Sequence, residues 1–355
     1  MLTNHHEYYS AHYFAELLAG DLKETLDQWK AHADTHPDSE DHKEPPARLR
    51  SLAQPYFRSL EKIRRAPDSL AEIQRDFLTG LLPIFGYDLG PSWRAVGHGS
   101  ATVRIPLIGE VTTQSGAPAL WVIEALPTGT SDDELGTDPL SLSPHPSQYA
   151  ADPQNSNPQL PGRALLSSNP RSIISNPQSL PTWEEVLSKD IFGLDEPPRW
   201  VIFISFGQIV LCDRMKWAER RFLSFDLREL FNRREDPTLR ATAALLHRDS
   251  TCPADGLSLL DGLDESSHKH AFAVSETLKL AVVASIEDLA NEAVHYIRTV
   301  RKEALFNQPD AKLERELTRD CVRYIYRLLS CFYLEARPEL GYLPVKSEEY
   351  LKGYS

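Results

Sequence analysis

Ala119-Leu-Trp-Val-Ile-Glu-Ala-Leu126 is a nearly continuous apolar run. Such a run reads as a strand covered on both faces, which commits the chain to a sheet with other elements packed around it. Nearby segments fit the same sheet. Trp200-Val-Ile-Phe-Ile-Ser-Phe206 is another strand, and Gly207-Gln208 turns it into Ile209-Val-Leu-Cys-Asp213 as a tight hairpin. Thr102–Ile108 is extended, with Pro106 pointing to an edge strand or a bulge. Ser115-Gly-Ala-Pro118 supplies the turn between that strand and the apolar run.

Helical spacing dominates on either side of the strands. Phe14, Leu17, Leu18, Leu22, Leu26 and Trp29 predict an amphipathic helix within 7–32. Thr35 to Pro46 reads as a solvated loop. A second helical segment covers 47–65, with Pro55 kinking it or starting its main part. Ser69-Leu-Ala-Glu72 has capping-box form, and the helix it opens runs through Phe77 and Leu81 until Pro83 and Gly86 end it. After the hairpin, helices are predicted over 226–233, 238–248, 275–306 and 311–336. Ser275 is the expected N-cap of the longest, and Pro309 separates the last two. Helices, then strands, then helices favour an α+β fold. The expected organisation is an N-terminal helical segment (1–66), an α/β domain (67–250) and a helical connector (251–355).

Residues 127–181 are rich in Pro, Ser, Asn, Gln and Gly, with Asn-Pro pairs at 157–158, 169–170 and 176–177. Such a composition buries too little apolar surface to offset its ordering entropy. A long, largely disordered insertion is expected here, passive rather than a Pro-rich ligand.

An apolar fraction of 41% and a charged fraction of 25% are those of an ordinary globular protein of two or three domains. No apolar run approaches the roughly 18 residues of a membrane span, and the N-terminus lacks a secretory signal. A cytoplasmic protein without a membrane partner is expected. Cys212, Cys252, Cys321 and Cys331 form no Cys-x-x-Cys pair and read as buried thiols. The histidines at 5, 6, 12, 32, 36 and 42 read as surface residues, since His32 and His36 have no obvious third ligand.

The net charge of −13 argues against a protein that coats nucleic acid, but not against a local basic face. Residues 214–234 hold seven Arg or Lys and three acids, 7 − 3 = +4. Arg214, Lys216, Arg220, Arg221, Arg233 and Arg234, interleaved with Trp217 and Phe222, suit phosphate contact and base stacking. Arg319, Arg323 and Arg327 share one helix face at i, i+4 and i+8. These nine residues are the candidates for double-stranded DNA binding; a solvated face is the bland alternative.

Glu124 is an acid inside an apolar strand. Helix, hairpin and acid-bearing strand together resemble a degenerate PD-(D/E)XK nuclease core, in which an upstream acid and a Glu-x-Lys triplet on adjacent strands hold Mg²⁺. Here the triplet is Glu124-Ala125-Leu126, and leucine supplies neither charge nor donor. Asp88 and Glu110 are candidate upstream acids. No Phe-x-Gly-x-Gly loop, Asn-Pro-Pro-Tyr, P-loop or Gly-x-Ser-x-Gly elbow is present.

Three segments, Glu7 to Leu18, Arg199 to Trp217 with Arg240 to Arg248, and Tyr326 to Pro344, together resemble the N-terminal region of large adenine-specific DNA methyltransferases. These are the type IIG restriction–modification proteins and the methyltransferases of DISARM and BREX phage-defence loci. The resemblance implies a parent that methylates adenine N6 with S-adenosylmethionine. This chain would be its non-catalytic region contacting DNA or other defence-system subunits, with Tyr326 to Pro344 leading into a catalytic domain beyond Ser355. The alternatives are a divergent metal-dependent endonuclease using Glu124 and Mg²⁺, and a structural interaction module that contacts no nucleic acid.

Overall fold

In the computed structural model, which describes residues 2–35, 43–98, 101–144, 181–302, 311–337, 341–344 and 347–353, seven strands form one mixed sheet. They are β1 (Leu2–His5), β2 (Ser92–His98), β3 (Ala101–Thr112), β4 (Pro118–Glu124), β5 (Trp200–Ile204), β6 (Gln208–Asp213) and β7 (Phe222–Asp226). The order is β1-β7-β6-β5-β4-β3-β2; β4 and β5 are parallel and every other neighbouring pair is antiparallel. The helices are α1 (Leu18–Asp21), α2 (Lys23–Thr35), α3 (Pro45–Ser51), α4 (Ala53–Arg65), α5 (Leu70–Leu81), α6 (Asp132–Leu135), α7 (Trp183–Val186), α8 (Leu227–Arg233), α9 (Asp236–Leu246), α10 (Arg248–Thr251), α11 (Leu259–Thr299), α12 (Ala311–Ala336) and α13 (Glu348–Gly353). The protein is α+β, as its order of elements implies. No helix among the described residues is long and apolar enough to cross a membrane.

The period of two along each central strand separates two cores. Leu120, Val122, Ile202, Ile204, Ile209 and Leu211 face one side, packed with Tyr56, Phe77, Phe206 and Phe231. Trp121, Ile123, Val201, Phe203, Val210 and Cys212 face the other, packed with Leu140, Trp183 and Ile191. Both faces of β4 and β5 are therefore covered. Contacts divide the chain into Met1–His268 and Lys269–Ser355. Residues 1–66 contribute Tyr13, Leu49 and Tyr56 to the same core as the sheet.

The expected disordered insertion (127–181) is corrected over its first part, 127–144. A parallel pair needs a long crossover connection, and the chain between Glu124 and Trp200 supplies it. Capping boxes fix two points on this path: Ser131 with Glu134 opens α6, and Thr182 with Glu185 opens α7. Leu135, Leu140 and Leu142 are buried. The three Asn-Pro pairs and the rest of 145–180 lie outside the described residues.

Other expectations shift for local reasons. The helix expected over 7–32 follows an unforeseen β1 and comes in pieces, a π-helical Tyr13–Leu17, then α1 and α2. Ser69 makes no capping bond, because it closes a 3-10 turn that Pro67 begins and its backbone is not extended. Ser275 lies inside α11, donating to the Ala271 carbonyl at 2.9 Å. The helix begins earlier, where Ser258 Oγ accepts the Asp261 N–H at 3.1 Å. Pro106 is not on an edge strand, since β2 lies outside β3, but a register shift between Leu107 and Gly109 confirms the bulge.

Candidate functional site

Glu124 ends β4 at the carboxyl end of the parallel pair, and α5 closes over it. It is 2% exposed. Arg75 Nη2 donates to Oε2 at 2.6 Å, and Gln74 Nε2 donates to Oε1 and to the Ala125 carbonyl, each at 3.1 Å. Gln74 is fully buried, on the same face of α5 as Phe77, Leu78 and Leu81. Gln74 Oε1 and Arg75 Nε have no hydrogen-bond partner among the described residues. A buried carboxylate is thus charge-paired and held by its neighbours.

The upstream acid is differently placed. Glu110 lies across from Trp121 on β4, accepts its Nε1–H at 3.0 Å and pairs with Arg94 at 2.7 Å. Trp121 belongs to the core on one face of the sheet, whereas Gln74 and α5 cover Glu124 from the other. Glu110 and Glu124 therefore sit on adjacent strands but on opposite faces. Asp88 lies before β2 and is exposed. No cluster of three or more His, Cys, Asp or Glu with metal-holding geometry occurs among the described residues.

The basic residues of 214–234 are dispersed and mostly engaged. Arg214 is exposed. Arg220 pairs with Glu184 at 2.9 Å, Arg221 with Glu219, and Arg233 with Glu229 at 2.8 Å. Arg234 Nε donates to the Phe231 carbonyl at 3.1 Å. Trp217 and Phe222 pack against the core below Trp183, away from stacking use. The loop carrying Arg214 to Arg221 leaves β6 at one end of β7, and α8 leaves from the other. In Lys269–Ser355, Arg319, Arg323 and Arg327 are exposed on α12, the first two beside Asp320 at 3.6 and 3.8 Å.

Lys216 is a structural lysine. Its Nζ donates to the Tyr8 carbonyl at 2.8 Å and to Asp264 at 2.5 Å, over the rings of Tyr8 and Tyr9. Burial lowers its pKa against the pull of Asp264. Beside it, Arg199 makes a two-pronged bond to Asp261 at 2.5 and 2.8 Å and reaches Asp213 at 3.6 Å. Burial raises the pKa of Asp213, only partly offset by the Met215 N–H and Arg199. This network fastens the residues after β1, the ends of β5 and β6 and the first turns of α11 to one another. Its ties from Arg199 to Asp261 and from Lys216 to Asp264 and Tyr8 join residues far apart in sequence, so nothing local announces them.

A cleft of about 360 Å³ opens beside the β5–β6 turn, lined by Tyr56, Asp132, Gly207, Asp226, Arg228 and Asn232 among others. On its rim Asp132 accepts from Arg64 at 2.8 Å and from Arg228 at 2.9 Å. His5 is half-buried, tied to Ser224 Oγ at 2.8 Å and stacked on Phe222; His36 and His42 lie outside the described residues. Cys212 and Cys321 are buried, Cys252 is half-buried, and Cys331 is exposed, against expectation.

No protein-family model, no curated protein and no solved structure matches this chain.

Proposed function

We propose that this chain is a non-catalytic, DNA- and partner-contacting region of an adenine-N6 DNA methyltransferase of a restriction or phage-defence system. The observation that carries the reading is the surface of Lys269–Ser355. Phe272, Leu280, Tyr326, Phe332 and Tyr333 on α11 and α12 are each more than half exposed. Large apolar side chains exposed along these helices suit a protein-interaction surface, here for the S-adenosylmethionine-using domain. The chemistry of methyl transfer would belong to that domain, since no cofactor loop or Asn-Pro-Pro-Tyr occurs in this sequence.

The locked state of Glu124 supports a region without cleavage activity. An endonuclease built on Glu124 has less support, because Glu110 faces away from it and Arg75 occupies its charge. Mg²⁺- or Mn²⁺-dependent cleavage lost in Glu124→Ala would favour that alternative over the present reading.

The direct test mixes the chain with the adenine methyltransferase domain from the same source. Co-elution on a sizing column, with slowed amide exchange along α12, is the expected result, and Phe332→Glu with Tyr333→Glu should abolish both. Two independently eluting species with unchanged exchange on α12 would overturn the reading.

A further inference from the structure

The segment 47–66 holds six Arg or Lys (Arg48, Arg50, Arg58, Lys62, Arg64, Arg65) and one acid, Glu61, so 6 − 1 = +5 in a chain of net charge −13. Its net charge exceeds the +4 of 214–234 because it holds fewer acids. Helical geometry sorts it. Tyr56, Leu60 and Ile63 are buried on one side of α4. Arg58, Lys62 and Arg65, at i, i+4 and i+7, emerge together on the opposite side and are all exposed.

We propose that this outward face of α4 binds the phosphate backbone of duplex DNA. Its cations are available, unlike most of those in the 214–234 segment. Arg58 donates only to the neutral Gln54, at 3.3 Å. Lys62 and Arg65 make no ion pair among the described residues, and the one acid within α4, Glu61, is taken by Arg64 at 2.9 Å. Arg64 is instead paired, with Glu61 and with Asp132, and stands apart from the unpaired stripe.

Helix electrostatics accounts for part of this pattern but not all of it. Lys62, Arg64 and Arg65 lie in the last turn, where cations complement the helix dipole. Arg58 is two turns from the end, beyond that effect. From Arg58 to Arg65 the stripe spans roughly 10 Å, over which a duplex presents about six phosphates. The aromatics of α4 do not join it: Tyr56 is buried and Phe57 packs against the core. Single strands are held by exposed aromatics on which bases stack, so the stripe suits a backbone rather than unpaired bases.

The inference rests on the DNA-contacting part of the function proposed above and gives it a place. It is tested by anisotropy titration of the chain with a labelled DNA duplex at several salt concentrations. The triple variant Arg58→Gln, Lys62→Gln, Arg65→Gln should bind about tenfold or more weakly, with the log–log salt slope reduced by about two to three. The variant Arg220→Gln, Arg221→Gln, Arg233→Gln should leave the slope within about one of the parent's. Arg58→Gln alone, which has no dipole role, should lower the slope by about one and serves if the triple variant does not fold. Duplex binding with an unchanged slope in both α4 variants would overturn the inference and leave the broader reading standing. If the parent chain shows no salt-dependent duplex binding, the inference falls together with the DNA-contacting half of that reading. Docking through α12 is read separately by co-elution.

Discussion

Arg75 Nη2 lies 2.6 Å from Glu124 Oε2, and the carboxylate it meets is 2% exposed. The pair joins α5 to the end of β4. Removing the cation leaves a buried charge held only by Gln74, and loss of one partner from a buried pair is far costlier than loss of both. Arg75 is itself partly exposed, which reduces the penalty. Arg75→Ala should therefore destabilise the fold by about 2 kcal/mol, with Arg75→Ala/Glu124→Gln recovering at least half of it. Urea denaturation of the four proteins of this cycle, at neutral pH, measures the coupling; additive effects would contradict a functional ion pair.

His247 provides a pH-dependent term. Its Nδ1 accepts the Asp249 N–H at 3.2 Å to cap α10, and the ring packs against Trp29. Burial lowers its pKa below the ordinary 6.5, aided by Arg48 and Arg248 and opposed by Asp249. The unfolded chain then binds the proton before the folded chain does, so stability falls as pH drops below 6.5 and levels off beneath the folded value. His247→Asn keeps a capping oxygen without titrating. Melting temperatures across this range should decline less steeply in the variant than in the parent.

Lys216 separates two uses of a basic residue. It bonds Tyr8 and Asp264 inside the protein, so Lys216→Met should loosen the attachment of α11's first turns and cost stability. Duplex affinity and salt slope should stay at parent values. A lowered slope with unaltered melting would return Lys216 to the DNA-binding candidates.

The apolar strands β4, β5 and β6 and the helix Ala311–Ala336 were legible because strong periodic patterns are local. β1, β2 and β7 were not, since short or polar strands such as Ser92–His98 take their identity from the partner they pair with. Residues 127–144 were misread because composition was judged over 127–181 as a whole, while this described part is ordered by the capped turn Ser131–Glu134 and by buried Leu135, Leu140 and Leu142. Glu124 was legible as an anomaly. Its partners carried a signal too, since Gln74 is a polar residue on the apolar face of a helix. Arg220, Arg221 and Arg233 pair with Glu184 from outside the 214–234 segment and with Glu219 and Glu229 from within it, and a count of charge along the sequence does not display such pairing.

Gly207 tests whether the crossover is part of the packed structure. It sits in the β5–β6 turn without a left-handed φ, so its requirement is space. A Cβ built there falls 2.0 Å from the Leu135 carbonyl oxygen, and backbone cannot move aside as a side chain can. Gln208 Nε2 meanwhile donates to the adjacent Gly136 carbonyl at 2.7 Å, holding the α6 segment against the turn. Gly207→Ala should push Leu135 and Gly136 away and destabilise the fold by about 3 kcal/mol, the upper range for overpacking. Amide exchange should accelerate along Asp132–Leu135 as well as at the turn. A variant with parent-like melting and exchange would mean that the residues after β4 are not held where the sheet places them.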